Sequence, residues 1–228
     1  MAVCNQTIIP DKNVSGDNFY GPNSCSQSFI DWAWGAHGFD KDYWDQGFGY
    51  EAACNTDLPL ARTFNAMWLL NYSASDYWNE DYSNNILHWG RRYVREQIDD
   101  LRALCGDGSA IARAFSGLFV DDRIELYKGY FYSKDVPGRA ETLIHESRHL
   151  GGKPHNAKFP SGSVFGAGKD GADSTWGYEG AWMYGALYLW WFYAAGTRTT
   201  SALQQAAKQR ANLVIDNAFA THPGFTIS

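Results

Sequence analysis

A mainly helical chain with one small sheet or hairpin, an α+β fold, is predicted by three features of the sequence. Several stretches carry helical apolar spacing or all-round apolarity, bounded by capping residues and glycine. Only one run, RIELYKGYFYSKD (123–135), has the β-branched and aromatic character of a strand or hairpin. No internal repeat or flexible linker divides the 228 residues, so residues 1–228 are expected to form a single domain.

Taken in order, residues 1–30 are rich in Asn, Ser, Gly and Pro and are expected to form an irregular arm pinned by Cys4 and Cys25. The aromatic, Gly-rich stretch from Phe29 to Tyr50 predicts short helical turns at best. Residues 58–72 read as a helix. A second helix is predicted over 84–105, capped by Ser83 or Asn84 and stopped by Gly106. Leu87, Val94, Ile98, Leu101 and Cys105 share one of its faces. Residues 109–117 predict a further short helix. After Pro137-Gly138 comes RAETLIHESRHL, helical until Gly151-Gly152, then a long polar loop over 156–176. The run 177–196 has Glu179 as its only charge. Its charge-free part, 180–196, is 17 residues with Gly, Tyr and Trp in the middle, short of the ~20 apolar residues of a span. It predicts a buried central helix and no membrane span. A last helix, 200–218, starts at Thr200 or Ser201.

Composition narrows the function classes. Nineteen Lys and Arg stand against 25 Asp and Glu, a net charge of -6, which neither nucleic acid nor an anionic membrane rewards. Four cysteines, Cys4, Cys25, Cys54 and Cys105, form no C-x-x-C pair, so two disulfides in a secreted protein are expected. The expected pairing is Cys4–Cys25 and Cys54–Cys105. Met1-Ala2-Val3 lacks the basic start and apolar run of a leader, so a mature N-terminus carrying an added Met is the expectation.

Chemistry concentrates between residues 145 and 155. His145-Glu146-Ser147-Arg148-His149 is an H-E-x-x-H, and residues four apart on a helix share a face, so both imidazoles can reach one metal ion. Glu146 then lies beside that ion, placed to take a proton from water. Leu150-Gly151-Gly152-Lys153-Pro154-His155 completes H-E-x-x-H-x-x-G-x-x-H. Gly152 lets the chain leave the helix at positive φ and return His155 to the same ion. Three neutral imidazoles leave the fourth tetrahedral position open, the arrangement of catalytic Zn2+.

This stretch resembles the zinc-binding motif of the metzincins, among the zincin metallopeptidases. The resemblance implies Zn2+ held by His145, His149 and His155, with Glu146 as general base. It also implies a Met-turn, for which Met183 is the candidate, although core packing suits that residue better. Asp173-Ser-Thr-Trp-Gly, following the motif, looks like the deuterolysin-type aspzincins, which are small, helical and disulfide-bonded. There an Asp is the third ligand, which implies Asp173, while Trp176 stands where that family has a Tyr. A gluzincin-like reading makes Glu179 the third ligand. His155, Asp173 and Glu179 stay open for that role, and carboxylates left out of it suit the orientation of ligand imidazoles. Tyr178 or Tyr184 would hold the oxyanion.

The remaining histidines, His37, His88 and His222, are isolated and read as ordinary surface or hydrogen-bonded residues. Trp32, Trp34, Trp44 and Trp78 suit loop packing, or a groove for peptide or sugar. Asn5, Asn13 and Asn71 fit the N-x-[ST] acceptor pattern. The expected function is a secreted, monomeric zinc metalloendopeptidase acting on protein or peptide. The alternative is a catalytically silent zincin-like scaffold that binds cell-wall peptide or glycan through its Trp-rich half.

Overall fold

The computed structural model describes residues 24–45, 47–77, 85–106, 110–117 and 120–228. Within them the chain runs α1 (Gln27–Ala36), α2 (Lys41–Trp44), α3 (Pro59–Tyr72), α4 (Ile86–Gln97), β1 (Asp100–Ala103), β2 (Ala112–Gly117) and β3 (Val120–Leu126). It continues through α5 (Lys128–Ser133), α6 (Val136–Leu150), β4 (Ala157–Lys158), β5 (Asp170–Ala172), α7 (Ala181–Ala195) and α8 (Ser201–Asn217). This is a mainly helical α+β fold. The three-stranded sheet has order β1-β3-β2, with β1 parallel and β2 antiparallel to β3.

Helix α6 is the pivot, packed against α3, α4, α7 and the sheet. Asp135 caps it by accepting from the Gly138 N–H at 2.8 Å, and Pro137 sits in the first turn, where its missing N–H costs nothing. Every residue from Val136 to Ser147 is buried. Gly152, at φ +81, ends the helix in a conformation that disfavours any residue with a Cβ. Helix α7 is apolar on all sides, burying Met183, Ala186, Tyr188, Leu189 and Phe192 between α6 and α8. Thr200 caps α8, and no helix among the described residues is long and apolar enough to cross a membrane.

Several expectations are corrected. The predicted 84–105 helix ends at Gln97 and is capped by Asn85. Beyond it the chain is the strand β1, tied to β3 and bridged to Phe39. Leu101 and Ala103 are buried while Asp100 and Arg102 are half-buried, a period of two that also satisfies part of the helical spacing. Residues 112–117 are strand, because pairing with β3 overrides the helix preference of their alanines. The 123–135 run divides into the end of β3 and α5. Two short strands occupy the expected 156–176 loop. A ten-residue α1, capped by Ser26, stands where only turns were expected.

Cys25 pairs with Cys54, at a Cα–Cα distance of 5.3 Å, and this replaces the expected Cys4–Cys25 and Cys54–Cys105 pairing. Cys105 is disulfide-bonded as well. Cys4, Asn5, Asn13 and Trp78 lie outside the described residues, as do Ser83, Asn84 and most of the predicted arm. Trp44 is fully buried and donates Nε1–H to Leu101 O at 2.7 Å, so it is core. Asn71 is buried in α3 and donates to Met67 O, which is incompatible with a glycan at that position in the folded chain.

Candidate metal centre

His145 and His149 project from the same face of α6, as i,i+4 spacing dictates. His155 follows the glycine exit, and the ligand atoms of all three imidazoles lie within 4.8 Å of one another. The return of His155 is enforced by the small β4–β5 sheet. Asn156 N–H donates to Ala172 O at 3.2 Å, and the Asn156 side chain accepts from Ser174 N–H at 2.8 Å while donating to Ser174 Oγ. These bonds lay His155 beside Asp173.

The imidazole Nδ1 atoms differ in their partners. His149 Nδ1 is 2.8 Å from Lys153 O, and His155 Nδ1 is 2.9 Å from Asp173 Oδ1. His145 Nδ1 is buried without a hydrogen-bond partner among the described residues, with the buried Glu141 carboxylate 4.0 Å away. Burial, reinforced by the neighbouring His149 and His155, holds the His145 pKa well below its ordinary value. Burial and then His155 lower that of His149. Neutral imidazoles are the form that binds a metal.

Glu146 is buried beside them, and burial pushes its pKa up to about 8. It accepts a hydrogen bond from the Ala114 N–H of β2. The cleft over the histidines measures about 400 Å³. Residues 110–114 line it, together with Phe159, Gly171 and Trp182. Tyr127 N–H donates to Ile111 O, so the odd residues of β2 bond to β3. The even ones, Ala112 and Ala114, therefore turn their main-chain groups to the outer edge, where Glu146 takes one of them.

The other candidates are elsewhere. Asp173, fully buried, touches His155 and does not join the three-histidine cluster. Glu179 is exposed in a left-handed conformation, its carbonyl accepting from Arg148. Tyr178 donates its hydroxyl to Pro154 O at 2.7 Å, and Tyr184 packs at a tilt against Trp89 with the Arg148 guanidinium over it. Neither phenol is among the residues that line the cleft. Trp176 packs on Phe219 and Phe225, and Met183 is a core residue within α7.

Three features escape the sequence. Trp182 stacks on His155 and meets His145 edge-on, with its Nε1–H held by Gly171 O. It is one aromatic among many in α7, and nothing in its spacing sets it apart. The β2 wall is hidden by its alanines. Phe159 lies in a stretch read as loop, with no periodicity to mark it. Comparison with family models, with curated proteins and with solved structures finds no match to this chain.

Proposed function

We propose that the chain is a secreted, zinc-dependent metallopeptidase. The observation that carries this reading is the convergence of His145, His149 and His155 on one point, with the Glu146 carboxylate beside them in an open cleft. The donor set suits Zn2+: three imidazoles, two of them lowered in pKa, and on His145 a buried nitrogen left unpartnered among the described residues. When bound, the metal supplies Lewis acidity toward a carbonyl oxygen and toward water.

The chain's own residues do the rest. Glu146 takes a proton from the attacking water and returns it to the leaving amine as the C–N bond breaks. Its raised pKa would fall beside a cation, toward the range in which a base works near neutral pH. The Ala114 N–H fixes the carboxylate. The outer edge of β2 offers the N–H and C=O of Ala112 and the C=O of Ala114 to an extended peptide, which would join the sheet as an added strand. The disulfide between Cys25 and Cys54 suits an oxidising compartment.

Zinc content and peptide hydrolysis of wild type and Glu146→Gln test the reading. The variant keeps the metal, stays folded and loses at least ~10²-fold in hydrolysis, the contribution typical of a general base. Retained activity in the zinc-loaded variant would place the base elsewhere. A fully loaded wild type that cleaves nothing in a broad peptide library would favour the silent scaffold.

A further inference from the structure

Asp173 is held more firmly than a loop residue needs to be. Its carboxylate is fully buried at the start of α7, where Oδ2 accepts from the Trp182 N–H at 3.1 Å. Its main chain is gripped on both sides by the segment after α8: Asp173 N–H donates to Ala218 O at 3.0 Å, and Ala220 N–H donates to Asp173 O at 2.9 Å. The remaining oxygen, Oδ1, meets His155 Nδ1 at 2.9 Å.

A carboxylate accepts and does not donate. The contact therefore puts the imidazole proton on Nδ1 and leaves the Nε2 lone pair free. We propose that Asp173 is a positioning residue that selects the metal-binding tautomer of His155 and fixes its ring, and that the segment 218–220 holds Asp173 in place to do so. The inference rests on the three-histidine reading of the site. It makes Asp173 an orienting partner and not a ligand, and it extends the site's support to the end of α8.

Asparagine cannot replace it. One of its two terminal atoms is an NH2. If that group faces Trp182, two donors collide; if it faces His155, Nδ1 must accept, and the proton moves to Nε2. Nitrogen-15 spectra of the metal-free protein read the tautomer directly. Wild-type His155 is expected as the Nδ1–H form, and Asp173→Asn shifts it toward Nε2–H. Zinc affinity, measured by chelator competition, falls about 10- to 100-fold in the variant, the usual cost of losing such a partner.

Should Asp173→Asn fail to fold, Gly180→Ala decides the matter. A Cβ there would lie 2.4 Å from Asp173 Oδ2, displacing the carboxylate without changing its charge. The expected result is again at least a tenfold loss of zinc affinity. An Nε2–H tautomer in wild-type His155, or unchanged affinity in a folded variant, overturns the inference. Zinc affinity that falls in His155→Ala but not in Asp173→Asn sinks Asp173 alone. A wild type that shows the Nδ1–H tautomer yet binds no zinc sinks the metallopeptidase reading and leaves the positioning role standing.

Discussion

Two clefts of similar size differ in every respect that matters for chemistry. The histidine cleft, about 400 Å³, gathers three imidazoles and a buried carboxylate under a strand edge. The other, about 460 Å³, lies between α1 and α3 and is lined by Phe29, Trp32, Trp68, Tyr72 and Tyr77, with Ser26, Ser28 and Arg198. There the rings pack on one another, as in the Trp68–Tyr72 contact at 5.0 Å. Arg198 gives its guanidinium to Tyr72 O, Ala74 O and Thr197 Oγ1. A buried histidine stands near each cleft. His37, edge-on to Trp32, has Nδ1 on Ala33 O and no second imidazole ring in contact with it among the described residues, whereas His145 has His149 and His155. Burial alone does not make a site. Convergence does.

The comparison predicts that changes in the aromatic region alter stability and leave zinc bound per folded chain unchanged. The largest effect is expected of Trp44→Ala, which removes a fully buried indole and should cost about 3–5 kcal/mol in urea unfolding. A matching fall in zinc affinity of the folded variant would break the division between the regions. Replacing Cys25 and Cys54 together by serine releases a cross-link spanning 29 residues, worth about 3.6 kcal/mol by chain entropy, and should also spare the metal.

His37 sharpens the comparison through pH. Burial lowers its folded pKa from 6.5 to about 4, so the unfolded chain binds the extra proton. Stability from this group is whole above the unfolded value and is lost as pH falls from about 6.5 toward 4, by up to about 3 kcal/mol. Urea titrations across that window should show a shallower decline in His37→Phe than in wild type. Equal slopes would remove His37 from the account. The smallest effect is expected of Asn85→Ala, which deletes the cap on Leu87 N–H and costs about 1 kcal/mol.

Local chemistry made part of this legible. Helices α6 and α8 announce themselves through Pro137-Gly138, Thr200 and the glycines at 151–152, because caps and periodicity act within one or two turns. The meeting of His145 and His149 follows from helical spacing alone. Strand β1 was hidden because four residues satisfy two periodicities, and β2 because alanine favours a helix until a partner strand is supplied. The pairing of Cys25 with Cys54 depends on how α1 sits beside the turn before α3, which no spacing reveals.

By itself, the sequence determined the helical framework, the pair of imidazoles on α6 and the glycine exit that sends His155 back. Tertiary structure decided what surrounds them. The β4–β5 strands deliver His155 to Asp173, α7 supplies Trp182 and the amide that fixes the carboxylate, and the β2 edge supplies the N–H that holds Glu146. Asp173 is 18 residues away from the His155 it touches, and Ala114 is 32 residues away from Glu146. Hydrogen bonds and burial at that range exist only once the chain has closed its loops, so neither capping nor periodicity carries a trace of them.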